Sequence, residues 1–301
     1  MNDFGSRLAR TITFFSPAEG LNATPVPDVY CIKFSRPNHP TKRYWRACLA
    51  IVVQGCKEVV LERDVYQCDA GHYTATPVDL PVLSRIAKAS PGKPFLALLI
   101  RMDPMILSEV SAHLGEASNG GSANSLRAIF IGKATDEILE TAVRLAKLFH
   151  TPEDARVLGP LVVREMIYHL LKGADGNAIR RFVRSGSKTH IISQCIYGLQ
   201  SELNQDVDVP ALAKAAKMSR SAFFKHFKEV AAISPIQYQK RLRLLEARRL
   251  MVDDGETAEG SAFKVGYKSA SQFSREYARM FGNSPLRDAM KFKKNGQSSE
   301  L

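Results

Sequence analysis

Two stretches in the last third of the chain carry hydrogen-bonding and cationic side chains at matching positions. One is "SRSAFFKHFKEV", which starts at Ser219, and the other is "SASQFSREYARM", which starts at Ser269. Such side chains can bind the base edges and the phosphates of a nucleic acid. The base-reading candidates are Ser221, Phe224, Lys225, Ser271, Gln272, Ser274 and Arg275, and the phosphate-binding candidates are Arg220, Lys228 and Arg279.

Arg275 is the main candidate for base reading, because a guanidinium can donate two hydrogen bonds to the O6 and N7 of guanine. Phe224 is expected to contact a thymine methyl group or a sugar, since its side chain has no hydrogen-bond donor. Lys228 and Arg279 lie further along their segments, where phosphates are nearer than base edges. These roles require both segments to be helices with one face turned outward.

The spacing of apolar residues predicts such helices. Ser219 and Ser269 can each cap the N-terminus of one helix. Each segment follows a shorter helical stretch that contains a small residue, Ala213 or Ala262, where two helices can cross closely. The anchors that recur with helical spacing are Phe223, Phe227 and Val230 in the first copy and Phe273, Tyr277 and Met280 in the second. The chain therefore contains two predicted helix-turn-helix units in tandem.

A longer helix is predicted between the two units, in "SPIQYQKRLRLLEARRLMVD". Its apolar positions are Ile236, Tyr238, Leu242, Leu245, Leu250 and Met251. A rod of this kind would hold the units at a fixed separation, so that both can read one face of a DNA duplex.

The segments "SPIQYQKRLRLLEARRLM" and "VGYKSASQFSREYARMFGNSP" are similar to the DNA-binding domain of AraC/XylS-type transcription regulators, over about residues 190 to 290. The stretch "VVQGCKEVVLERDVYQCDAGHYTATPVDLPV" resembles the cupin-like effector and oligomerisation domain of one subgroup of that family. The resemblance implies binding to double-stranded promoter DNA, contact with RNA polymerase and control by a small-molecule effector, with no cofactor. Lys217 and Ala232 stand where the first unit of the family usually has glycine, whereas Gly266 and Gly282 keep it in the second.

The predicted fold class is α+β. Short apolar runs separated by turn residues in residues 25 to 101 indicate strands of an antiparallel sandwich or barrel, and a short helix is expected from Asp103-Pro104. The segment from Glu116 to Ser125 is expected to be a loop. The predicted domains are a cupin-like effector and dimerisation domain in 1–172, a linker in 173–188 and an all-α DNA-binding domain in 189–301.

Two amphipathic helices are predicted from Asp136 to Phe149 and from Asp154 to Lys172, joined near Pro152. We expect them to form a hairpin whose apolar face contacts a second chain, which would make the protein a homodimer. The alternative is that these stripes belong only to the core of the domain. The stripe residues are Ile138, Leu139, Val143, Ala146, Phe149, Leu158, Leu161, Val162, Met166, Leu170 and Leu171.

Charge is unevenly placed along the chain, whose formal net charge is +12. Residues 210 to 301 contain 18 Lys and Arg against 9 Asp and Glu, whereas residues 1 to 209 contain 24 against 21. Clustered positive charge favours a polyanionic partner, because neutralised phosphates release counterions. The alternative is a basic surface that only keeps the protein soluble.

The five cysteines form no CxxC pair, which disfavours structural zinc. Their odd number favours a reducing compartment. The longest apolar run, Phe95 to Ile100, is too short to span a bilayer, so a cytoplasmic location without membrane attachment is expected. Four of the cysteines lie in the N-terminal domain. Inert buried thiols are the expectation, and a sensor of electrophiles or oxidants is the alternative.

The competing function is a metal-dependent cupin enzyme fused to a DNA-binding module. His39 and His72 are isolated in the strand region and no His-x-His occurs, so neither a metal site nor catalytic residues are expected. A second competing function is an architectural protein that binds DNA through phosphates alone. The sequence leaves open which effector binds and whether transcription is activated or repressed.

Overall fold

The computed structural model describes residues 3–61, 64–115 and 127–294. The predicted loop from Glu116 to Ser125 lies outside the described residues. The N-terminal part contains α1 (Asp3–Phe14), β1 (Gly20–Ala23), β2 (Val29–Phe34), β3 (Thr41–Trp45), β4 (Cys48–Gln54), β5 (Cys56–Leu61), β6 (Asp64–Asp69), β7 (His72–Thr76), β8 (Leu80–Lys88), β9 (Phe95–Arg101), α2 (Pro104–His113), β10 (Phe130–Lys133), α3 (Asp136–Lys147), a 3-10 turn (Leu148–His150) and α4 (Pro152–Lys172). Helices follow: α5 (Gly176–Arg180), α6 (Lys188–Ser201), α7 (Val209–Ala215), α8 (Arg220–Ala231), α9 (Pro235–Val252), α10 (Ala258–Lys264), α11 (Ala270–Phe281) and α12 (Pro285–Lys294).

The strands form two antiparallel sheets, as the sequence predicted. One has the order β1-β2-β9-β4-β7-β10 and the other the order β3-β8-β5-β6. Strands β4 and β9 alternate between two environments. Leu49 and Leu98 belong to the core cluster that includes α1, α3 and α4, whereas Cys48, Val52 and Ala97 belong to a second cluster between the sheets. The larger sheet is therefore covered on both faces, which explains its long apolar runs.

The predicted short helix and helical hairpin are present. The Asp103 side chain accepts a hydrogen bond from the backbone N of Met105 at the start of α2, and Pro152 occupies the first turn of α4. Most of the apolar stripe is buried inside the chain itself, so it is domain core and not a free surface. Leu158 and Leu161 are the stripe residues that are exposed, next to Val157 on α4.

The segment predicted as a linker, residues 173–188, contains α5 and is packed. Ile179, Phe182 and Val183 are buried, and the Arg180 guanidinium donates hydrogen bonds to Ser111 and to the carbonyl of Gly115. Its glycine and serine content indicated flexibility, but α5 packs against α2 and α4, and the Phe182 ring packs on the Phe130 ring. The domain boundaries remain predictions.

One core cluster runs from Leu8 in α1 to Leu242 in α9 and includes the first helix-turn-helix unit. The second unit packs on a separate cluster built from the end of α9, α10, α11 and α12, with Phe273 and Tyr277 at its centre. Across the residues described above, no helix combines the length and apolar character needed to cross a bilayer.

Candidate nucleic-acid interface

The first helix-turn-helix unit consists of α7 and α8. Ser219 caps α8, because its hydroxyl accepts a hydrogen bond from the backbone N of Ala222 at 3.2 Å. The predicted anchors Phe223, Phe227 and Val230 are buried, and Ala213 is buried in the first helix. Helix α8 is thus held by one face, and its opposite face is available.

The second unit consists of α10 and α11 and has the same construction. Ser269 caps α11 through the backbone N of Gln272 at 3.3 Å, and Ala262 is fully buried. Phe273 and Tyr277 are fully buried, while Met280 is half-buried against the same cluster. The repeat seen in the sequence is therefore a structural repeat.

The candidate DNA-binding side chains lie on the free faces of the two second helices. All are exposed except Phe224, which is half-buried and packs against the main core cluster. The Arg220 guanidinium lies 5.9 Å from the Phe224 ring centroid. The exposed ones are Arg220, Ser221, Lys225, Lys228, Ser271, Gln272, Ser274, Arg275 and Arg279.

Four of these cations are unpaired within the part of the chain that the structure describes. No carboxylate forms an ion pair with Lys225, Lys228, Arg275 or Arg279 there. Their charges are left for an external polyanion.

One carboxylate, Glu276, lies on α11 among these groups and was not singled out from the sequence. It accepts hydrogen bonds from Lys240 Nζ at 3.1 Å, the Tyr267 hydroxyl at 2.9 Å and Gln272 Nε2 at 3.2 Å. Burial raises the pKa of Glu276, but these hydrogen bonds outweigh it and hold the pKa below its usual value. Lys240 on α9 therefore offsets a charge that would repel phosphates.

A buried arginine, Arg248, fastens α9 to the second unit and to α12. Arg248 forms an ion pair with Asp288 at 2.8 Å and lies 3.4 Å from the centroid of the Phe281 ring. Asp288 also accepts a hydrogen bond from the Tyr277 hydroxyl at 2.8 Å. Helical spacing cannot reveal this role, since an arginine in a helix is usually a surface residue.

The N-terminal part caps the C-terminal ends of both second helices. The backbone N of Ala128 donates to the Val230 carbonyl of α8 at 3.2 Å, and Lys42 Nζ donates to the Met280 carbonyl of α11 at 2.7 Å. The last carbonyls of a helix have no partner within the helix, and a cation is favourable there. The sheet domain therefore contacts each candidate recognition helix directly.

The comparisons with known proteins support this arrangement. The family described as "AraC-type transcriptional regulator N-terminus" matches residues 25–178, half of the chain. The chain belongs to the AraC family of transcriptional regulators. A family described as "Helix-turn-helix domain" matches residues 212–288, which include the second unit and all but the first residues of the first unit of this AraC-family protein.

Curated relatives match parts of this family member. The probable transcriptional regulator LumQ of Photobacterium leiognathi is 32% identical over 89 residues, which are 30% of this chain and 36% of LumQ. The raffinose operon transcriptional regulatory protein RafR of Pediococcus pentosaceus is 28% identical over 144 residues, 47% of this chain and 50% of RafR. The chain thus spans about a third to a half of the length of the curated relatives it matches.

The whole chain also shares its fold with solved structures of ToxT from Vibrio cholerae. The apo form superposes with a TM-score of 0.58 at 11% identity, covering 91% of this chain and 99% of ToxT. A form with bound unsaturated fatty acid gives 0.59 at 12% identity, covering 90% and 96%. This likeness concerns the fold: a sheet domain followed by a helical domain.

The expected absence of a metal site stays a prediction. The described residues contain no cluster of three or more His, Cys, Asp or Glu side chains with ligand geometry. His72, singled out in the sequence, has its Nδ1 buried without a hydrogen-bond partner among the described residues. All five cysteines are free thiols, and Cys195 is the partly exposed one.

Proposed function

We propose that this AraC-family protein binds promoter DNA sequence-specifically by inserting α8 and α11 into two successive major grooves. The observation that carries the proposal is the pairing of two capped helices, each buried on its aromatic face and each with unpaired cations on the other. The connecting helix α9 has 18 residues and is about 27 Å long. That length is of the same order as the roughly 34 Å between successive major grooves on one face of B-DNA.

We infer that the exposed side chains form two groups, one that reads bases and one that holds phosphates. Ser221, Lys225, Ser271, Gln272, Ser274 and Arg275 lie in the first two turns of their helices, nearest the groove floor, with Phe224 beside them for apolar contact. We infer that Lys228 and Arg279, in the third turns of their helices, hold phosphates together with Arg220 at the start of α8.

The test uses the full-length protein and a pool of random duplexes, from which bound sites are selected and sequenced. We expect one enriched motif, bound at least ~10³-fold more tightly than random duplex at the same salt concentration. The Lys93→Ala variant, which removes an exposed charge from a distant loop, serves as a control that keeps this ratio. Equal affinity for selected and random duplexes would identify an architectural phosphate binder instead.

We propose further that a small-molecule effector binds between the two sheets of the N-terminal domain. A narrow cavity there is lined mainly by apolar side chains, including Ile32, Val52, Phe95 and Leu99. ToxT, which shares the fold, has been solved with a bound unsaturated fatty acid. A DNA regulator of this kind acts in the cytoplasm, where the DNA is.

We also propose a homodimer formed through the exposed face of α4. Leu161 is 61% exposed and Val157 is 69% exposed, one turn apart, and Leu158 and Tyr168 extend the same helix surface. Sedimentation of the full-length protein at micromolar concentration should show a dimer, and Leu161→Glu should show a monomer. Val65→Glu, at an exposed position on β6, is the matched control. A monomeric wild type, or a dimer unaffected by Leu161→Glu, contradicts this assignment.

A further inference from the structure

The Glu276 carboxylate on α11 accepts hydrogen bonds from three different elements. Lys240 Nζ on α9 and Gln272 Nε2, one turn earlier on α11, both donate to its Oε1, at 3.1 Å and 3.2 Å. The Tyr267 hydroxyl, in the turn between α10 and α11, donates to its Oε2 at 2.9 Å. Gln272 and Glu276 are four residues apart and therefore lie on the same side of the helix. These contacts hold the Glu276 side chain in one place beside the free face of α11.

The protonation states of this network fix the direction of each hydrogen bond. The hydrogen bonds hold the pKa of Glu276 below its usual value in spite of its burial, so the carboxylate is ionised at neutral pH and can only accept. Burial, followed by the bond to Glu276, raises the pKa of Tyr267, so its hydroxyl keeps its proton and donates. The Tyr267 ring is held in turn by the buried Phe273, at 5.3 Å between ring centroids.

This network restricts the Gln272 side chain, which is exposed in the first turn of α11. Its Nε2 carries two hydrogens, and one of them is used by Glu276. If the amide turned over, Oε1 would face the carboxylate, and two acceptors repel each other. Gln272 therefore offers one donor and one acceptor to a partner outside the protein.

The major groove distinguishes adenine from guanine by this pattern. Adenine presents the N7 acceptor and the N6 donor, which match one donor and one acceptor of a glutamine amide. Guanine presents two acceptors, N7 and O6, so the Gln272 Oε1 would oppose one of them. An amide that is not held can turn its NH2 group towards guanine and donate to both.

We propose that Gln272 reads an adenine in the major groove, and that Glu276 is the positioning residue that makes Gln272 reject guanine. This inference rests on the proposed function, and it names one base and a further residue for the same interface. Glu276 acts through Gln272 and does not contact the base, because its two oxygens are engaged by three donors. Lys240 also ties this network to the connecting helix α9.

The test uses the full-length protein and the motif selected from random duplexes. Substitution Gln272→Ala first identifies the base pair at which preference is lost. Four versions of the site that differ only at this base pair are then compared at one salt concentration. We expect the wild type to bind the adenine version at least about 10-fold more tightly than the guanine version.

Glu276→Gln nearly keeps the shape of the side chain, but an amide can donate as well as accept, so it no longer fixes the direction of the bond to Gln272. The ratio of adenine to guanine binding should fall below about 3-fold, because the guanine version gains most. Removal of a negative charge near phosphates should leave affinity for random duplex unchanged or higher. In the Gln272→Ala background, Glu276→Gln should leave the ratios among the four versions unchanged.

Glu259→Gln, at an exposed carboxylate on α10 of the same unit, is the matched control and should keep the wild-type ratio. Equal losses on all four versions and on random duplex for Glu276→Gln would indicate a structural role and overturn the proposal. So would a preferred base other than adenine, or relaxation at a base pair that Gln272→Ala does not affect. If no motif is enriched, the proposed function fails as well, whereas an enriched motif with an unchanged ratio in Glu276→Gln refutes this inference alone.

Discussion

Arg275 and Lys228 allow base reading to be separated from phosphate binding. Both are exposed and unpaired among the described residues, but Arg275 lies in the second turn of α11 and Lys228 in the third turn of α8. Arg275→Ala should cost about 1 to 3 kcal/mol on the selected site and relax preference at one base pair. Lys228→Ala should weaken all duplexes similarly and reduce the salt slope by about one unit. Equal losses on selected and random duplexes for Arg275→Ala would make it a phosphate ligand.

Lys217 is a non-glycine residue whose backbone lies in the left-handed region that favours glycine. It has a φ of 54° in the turn between α7 and α8, and Ala232 has a φ of 65° at the end of α8. These are the two positions where the sequence lacks the family's glycine. Lys217→Gly should stabilise the protein by about 1 kcal/mol, because a left-handed conformation costs glycine nothing. Lys214→Gly, inside α7, should instead destabilise it by about 1 kcal/mol. Denaturant unfolding of the three proteins checks both signs.

The cysteine thiols should be unreactive at neutral pH. Burial raises the pKa of Cys56 to about 11, and raises that of Cys31 to about 12. The reactive thiolate is therefore scarce at pH 7.5 and increases as the pH rises towards these values. Titration with a thiol reagent should be slow in the native protein at pH 7.5, faster at pH 10 and immediate after unfolding. Stoichiometric reaction within minutes at pH 7.5 would contradict this prediction and favour the alternative, a thiol sensor of electrophiles or oxidants.

At the scale of elements, the turn of the second unit depends on a close contact. Gly266 has a φ of 91°, and a Cβ added to it would lie 2.5 Å from the carbonyl oxygen of Asn204, between α6 and α7. Gly282 has a φ of 76° with open space around it. Gly282→Ala should therefore cost only about 1 to 2 kcal/mol for the backbone conformation. Gly266→Ala should cost more, since α10 must also move away from Asn204; equal costs in thermal unfolding would contradict the contact.

The elements also show which parts of the structure the local sequence pattern can predict. Helices α3, α4, α8 and α11 were predictable because apolar spacing and capping residues act within one or two turns. The packing of residues 173–188 was missed, since composition does not reveal that Phe182 and Val183 find partners elsewhere in the fold. The buried role of Arg248 was missed because its partners, Asp288 and Lys42, are distant in sequence. Which of the candidate residues read bases and which bind phosphates stays a prediction.

At the scale of the whole molecule, Lys42 connects the sheet domain to the second unit. Lys42→Met removes the hydrogen bond to the Met280 carbonyl. We expect effector binding to persist, while the effector-induced change in DNA affinity falls by a factor of about 5 or more. Lys33→Met removes a similar bond, from Lys33 Nζ to the Ser16 carbonyl within the sheet domain, and should leave the response intact. A full response in Lys42→Met would show that coupling takes another route.

The sheet-domain contacts that cap α8 and α11 do not depend on which side chains these helices carry. Ala128 and Lys42 bind main-chain carbonyls, of Val230 and Met280, which every amino acid supplies. The side chains that face DNA are thus free to change while these caps persist. Under the proposed function, new operators can be acquired by substitution on the outer faces of the two helices without loss of the proposed ligand control. The same property makes the chain suitable for engineering, because a transplanted set of outer-face residues should keep any response to the proposed effector.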